Sequence, residues 1–135
     1  MPILNAWSPT YSRRRGRRRS GVRLLIGQPA HLRFMTGLEQ SAVVEDLCAG
    51  GACLRAPVRL RPGDHLGLRV NLGIGYKFDF RARVVHNIPV PRGMHQRYGL
   101  RFVALKQEDE HRLLQYLECQ QAGLRAGVRA LHAEY

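Results

Sequence analysis

The sequence predicts a mainly β fold, an antiparallel barrel or sandwich followed by one C-terminal helix. Two patterns predict the strands: apolar residues recur at every second position, and these runs are short and bounded by turn residues. A third predicts the helix, because the apolar period changes after Leu105.

From Leu24 onward the runs follow in order. Ala30, Leu32 and Phe34 alternate with His31, Arg33 and Met35, and a second run, Ala42 to Leu47, ends at the Gly50-Gly51 turn. Ala52 and Leu54 continue before Pro57. Leu66, Leu68, Val70 and Leu72 form the next alternation, then Tyr76, Phe78, Phe80, Ala82 and Val84, then Tyr98, Leu100 and Phe102. Turn residues separate the later runs at Arg61-Pro62-Gly63-Asp64, Gly73-Ile74-Gly75 and Pro89 to Gly93. Beyond Leu105, Glu108, Asp109 and Glu110 place acid in a first helical turn, where the helix dipole favours it. Leu113, Leu114, Leu117, Leu124, Val128 and Leu131 keep helical spacing, although Gly123 and Gly127 are weak helix formers within it. The seam from Leu117 to Leu131 is longer than a small barrel needs, which marks it as an interaction surface for a partner or second copy.

The 135 residues fit one domain with a modest core, and 44% hydrophobic content is ordinary for a globular chain. No apolar run reaches the ~18 residues that span a bilayer, and the N-terminus does not read as a secretory signal. The expected location is the cytoplasm. Cys48, Cys53 and Cys119 are read as free buried thiols rather than disulfides or metal ligands. The six scattered histidines and few carboxylates give no zinc spacing and no catalytic constellation, so the expectation is a protein that is not an enzyme, with no metal and no cofactor.

The net charge of +12 implies an anionic partner: nucleic acid, an anionic membrane surface or a phosphorylated small molecule. Much of that charge is one local device, because Arg13, Arg14, Arg15, Arg17, Arg18, Arg19 and Arg23 fall close together. Such density of like charge predicts a flexible basic arm over residues 1–17, ahead of a barrel domain at 18–118 and a helical extension at 119–135.

Two segments carry a family resemblance. Arg18-Arg19-Ser20-Gly21-Val22-Arg23 is an Arg-Arg-x-x-x-Arg element leading into the first strand. Asp46-Leu47-Cys48-Ala49-Gly50-Gly51 is similar to an Asp/Asn-x-Ser-x-x-Gly turn. With Leu60 to Asp64, Arg81 to Val85, and Tyr98 to Val103 before an acidic helix start, the chain resembles the PilZ domain family over about residues 18 to 118. The resemblance implies a six-stranded antiparallel β-barrel that binds the bacterial second messenger cyclic di-GMP.

The residue chemistry agrees with that ligand. Arginine's planar fork matches both phosphate and the guanine O6/N7 edge, and it also stacks on a base. Arg19 and Arg23 are assigned these roles, with Arg18 as an auxiliary phosphate contact. An ionised Asp46 only accepts, which suits guanine N1–H and N2–H, although the same carboxylate also has the chemistry to fix its own turn. Gly51 follows the turn, where backbone must approach the ligand or take a positive φ. Cys48 stands where the family has Ser, and a thiol is a weak hydrogen-bonding group. Two other readings remain beside the receptor: a PilZ-fold protein–protein interaction module that has lost the nucleotide, and a basic nucleic-acid-binding barrel.

Overall fold

The computed structural model describes residues 23–133, with side chains to residue 123. Six strands and one helix follow in order: β1 Arg23–Arg33, β2 Glu39–Cys48, β3 Gly51–Ala56, β4 His65–Asn71, β5 Lys77–Ile88, β6 Gln96–Phe102 and α1 Gln107–Ala133. All neighbouring strands are antiparallel, and they close into a barrel in the order β1-β2-β3-β6-β5-β4. Closure leaves no sheet edge for another chain to extend. The predicted barrel is therefore observed, with the six strands that the resemblance implied.

Alternation fills the interior. Leu32, Val44, Leu54, Leu68, Val84 and Leu100 are each 0–1% exposed, and Phe78, Phe80 and Phe102 stack in series at 4.9 and 4.1 Å between centroids. Truncating one such buried leucine removes about 2–5 kcal/mol, a large share of the about 5–15 kcal/mol typical of a domain. Tyr98 reaches through this core to a connection: its hydroxyl accepts from Leu60 N–H at 2.9 Å and donates to the Val58 carbonyl at 2.7 Å. At the next turn Gly63 takes φ 98°, which a side chain would resist, and Asp64 Oδ2 accepts from Arg61 N–H at 2.9 Å.

The helix docks through Leu113, Tyr116 and Leu117, which are buried. Arg112 fastens it to the β4–β5 turn by donating to the carbonyls of Gly75 and Lys77, while its guanidinium lies 4.5 Å from the Phe78 ring centre. The predicted C-terminal helix is observed, and it runs unbroken through both glycines from Gln107 to Ala133. Its docked first turns supply the nucleus that an isolated glycine-containing helix would lack. Of the predicted apolar seam, Leu117 belongs to the core, and the side chains of Leu124, Val128 and Leu131 lie outside those described. Cys119 corrects an expectation. It is exposed, because two residues beyond Leu117 the helix has turned by about 200° and faces away from the barrel.

Candidate ligand-binding site on the outer face of β1, β2 and β3

Strict alternation from Ala42 and Val44 would aim Asp46 and Cys48 into the core. A β-bulge prevents this. Val44 pairs with Leu54 and Asp46 with Cys53, so Glu45 is the extra residue and the side chains beyond it change face. Leu47 then fills the interior, and Asp46 and Cys48 join the outer surface. A second bulge, between Val84 and His86, brings His86 into register with Gly99.

Two rows of facing residues result. One runs Arg23, Cys48, Gly51, Arg101, Arg83 across five strands, about 19 Å at ordinary strand spacing. The next runs Leu25, Asp46, Cys53, Gly99, His86. The predicted residues Arg23, Asp46, Cys48 and Gly51 thus come together on one patch. Arg18 and Arg19, like the arm expected at residues 1–17, lie outside the described residues.

Asp46 is the most unusual member. It is 7% exposed, it accepts a hydrogen bond from Cys53 N–H, and its Oδ1 has no partner among the described residues. Burial raises its carboxyl above the ordinary range, against the opposing pull of Arg23. A buried acceptor without a donor costs about 1–3 kcal/mol. Cys48 is buried beside it. Backbone N–H groups of Gly50 and Gly51 donate to its sulfur, yet burial still pushes the thiol up, so it stays protonated at neutral pH. Gly51 does not take a positive φ, and in the register of the sheet it stands between Cys48 and Arg101.

Sequence reasoning missed three features of this face. Glu45, the bulge residue, accepts from Arg55 Nε at 2.8 Å and Arg97 Nε at 2.7 Å, and the Cys53 thiol lies 3.6 Å from its Oε1. Burial raises the Glu45 carboxyl, but the two arginines more than reverse this and hold it below its ordinary range. The same surroundings push the Cys53 thiol up to about 11, burial first and then the Asp46 charge. Leu25 is 81% exposed beside Asp46, an apolar surface next to a polar one. His86 lies over Gly99, where an added Cβ would come within 2.7 Å of its ring, and its Nδ1 is buried without a partner among the described residues. A glycine inside the Tyr98–Leu100 alternation was the available signal for such close approach.

The row that starts at Arg23 thus lies on a closed six-stranded barrel and carries Arg101 and Arg83 as well. The chain matches the PilZ domain family over residues 13–119 and belongs to it. Among solved structures, it resembles Escherichia coli YcgR in complex with c-di-GMP, with a TM-score of 0.68 and 19% identity over 81% of this chain and 48% of that one. Bacillus subtilis inhibitor of motility (MotI/DgrA) gives 0.65 and 19% over 76% and 50%, and apo MrkH of K. pneumonia gives 0.66 and 16% over 82% and 55%. The chain spans about half the length of these proteins, and the likeness is one of fold. No curated protein matches the chain.

The Cys48 position has a measurable consequence. Replacing it with Ser keeps an acceptor for the Gly50 and Gly51 amides and adds a full-strength hydroxyl toward the patch. Cys48→Ser is expected to tighten cyclic di-GMP binding by roughly 2- to 12-fold, the worth of one neutral hydrogen bond. Calorimetry showing equal or weaker affinity would mean that the side chain at 48 serves only its own turn.

Proposed function

We propose that the chain is a non-enzymatic cyclic di-GMP receptor that works in the cytoplasm and signals to a protein partner. The messenger lies on the outer face of β1, β2 and β3. Arg18, Arg19 and Arg23 take its phosphates and guanine O6/N7 edges, and Asp46 takes guanine N1–H and N2–H. Gly51 lets the backbone approach, Leu25 offers an apolar surface to a base, and Cys48 adds a weak contact. Ordering of the basic arm, residues 1–17, across the barrel would change what a partner of the 18–118 domain or the 119–135 helix meets.

The observation that carries this reading is the Oδ1 of buried Asp46, unpartnered among the described residues, beside Arg23: an acceptor and a cationic fork side by side suit a guanine nucleotide. One observation favours the interaction-module reading instead. The Cys48 sulfur already takes two backbone amides, and as a thiol it has little left for a ligand.

Titration of the full chain with cyclic di-GMP, GTP and a short DNA duplex, at low and physiological salt, separates the readings. Cyclic di-GMP should bind at micromolar strength or better and weaken only modestly with salt. Duplex binding through several phosphates should fall steeply, with a log–log slope of about −0.9 per contact. No heat with cyclic di-GMP at either salt would sink the receptor, and duplex binding that survives physiological salt would favour the nucleic-acid barrel.

A further inference from the structure

A second feature lies apart from the messenger patch, at the end of β4 away from the helix-fastened turn. A cleft of about 430 Å³ opens between the C-terminal end of β1, the start of β4, the middle of β5 and the residues after β6. Phe34, Leu66, Ala82 and Val103 give it apolar walls, and Arg33 and Arg81 flank it. In the register of the sheet those two arginines stand either side of Gly67, so the missing side chain opens the floor between them. Met35, on the lip, is 93% exposed, a flexible apolar side chain suited to covering an incoming group.

The charge around the cleft is lopsided. Arg33 meets Glu39 at 3.4 Å and Arg69 meets Asp79 at 3.6 Å, both exposed pairs of the kind that contribute little. Arg81 and Arg83 have no acidic partner among the described residues, and His65 lines the cleft as well. The basic N-terminal residues, Arg13 to Arg19, have the wrong sign to cover such a surface. Sheet extension is closed to a partner because the barrel has no free edge. Recognition here must therefore come from side chains.

We propose that this cleft docks an acidic peptide segment of a partner protein, anchored by one large apolar side chain. The anchor enters between Phe34, Leu66 and Val103, and flanking carboxylates take the guanidinium forks of Arg33 and Arg81. Apolar walls distinguish this occupant from nucleic acid, which would use the arginines and leave the cleft empty. The docking surface is independent of whether the messenger binds on β1, β2 and β3.

Selection of a random 12-residue peptide display library on the full chain tests the proposal, with hits measured by fluorescence anisotropy. Two variants serve as probes. Gly67→Gln closes the floor, and an added Cβ there meets Arg33 Cβ at an ordinary 3.6 Å. Arg81→Glu reverses one flank at an exposed position and keeps the interior unchanged. Enriched peptides should carry Asp or Glu around a Leu, Phe, Met or Trp. They should bind at least about tenfold more weakly to either variant, while the melting temperature and cyclic di-GMP titration stay as in the parent. Should Gly67→Gln fail to fold, Arg81→Glu alone decides. Basic or uncharged winners, peptides indifferent to both variants, no enrichment at all, or a duplex that competes fully and loses affinity with Arg81→Glu would each overturn the proposal.

Discussion

Arg23→Ala is expected to reduce cyclic di-GMP affinity by about a hundredfold or more. A bidentate guanidinium makes two charge-assisted hydrogen bonds worth about 1.5–3 kcal/mol each, and alanine replaces neither. The residue sits at the first position of β1 opposite Cys48, close enough that its charge acts on both Asp46 and Cys48. Its side chain is exposed, so the fold should survive the change, and circular dichroism with a thermal melt checks that. Arg23→Lys keeps the charge and loses the fork, so it should recover only part of the affinity. Calorimetry giving equal affinities for the parent and Arg23→Ala would remove Arg23 from the site. Recovery by Lys to the parental value would show that only charge matters there.

Much of the barrel was legible because its strands bury one face and wet the other. The alternation at Leu66 to Leu72 and Tyr76 to Val84 reproduces the buried pattern of β4 and β5 residue by residue. Bulges were not legible. Nothing in Val43-Val44-Glu45-Asp46 states that the period slips by one, yet that slip places Asp46 on the outer face beside Arg23 and Cys53. The family resemblance pointed to Asp46 and Cys48 without giving this reason. Ion pairs between distant strands were equally hidden, because Glu45, Arg55 and Arg97 become neighbours only once the order β2-β3-β6 and its register are known. The helix was legible in kind and position through its acidic start. Its passage through the two glycines was less legible, because glycine propensity is a local term, and docking of Leu113, Tyr116 and Leu117 is a tertiary one. The same limit applied to Cys119, whose face follows from which helical residues dock.

Asp46 should show opposite effects on stability and on binding. Its carboxyl is raised by burial, so the folded state holds that proton more tightly than the unfolded chain does. For an acid this sign means stability is greatest below the unfolded value and declines as pH rises through the raised folded value. Asp46→Asn removes the buried charge and keeps an oxygen for the Cys53 amide. The variant should therefore exceed the parent in unfolding free energy by about 1 kcal/mol at pH 8, the lower end of the cost of an unsatisfied buried group. The difference should shrink as acid protonates Asp46. Binding runs the other way, because guanine N1–H and N2–H need an acceptor and the ionised carboxylate is the stronger one. Parental affinity for cyclic di-GMP should rise with pH through the raised titration of Asp46, and Asp46→Ala should lose about 10- to 150-fold at pH 8, where the carboxylate is ionised. Urea melts and calorimetry at pH 5 and pH 8 read both effects on the same proteins. If Asp46→Asn is less stable than the parent at pH 8, its Oδ1 has a donor and the carboxylate is a turn-fixing group; if Asp46→Ala binds the messenger as the parent does, the ligand contacts of this face lie with the arginines alone.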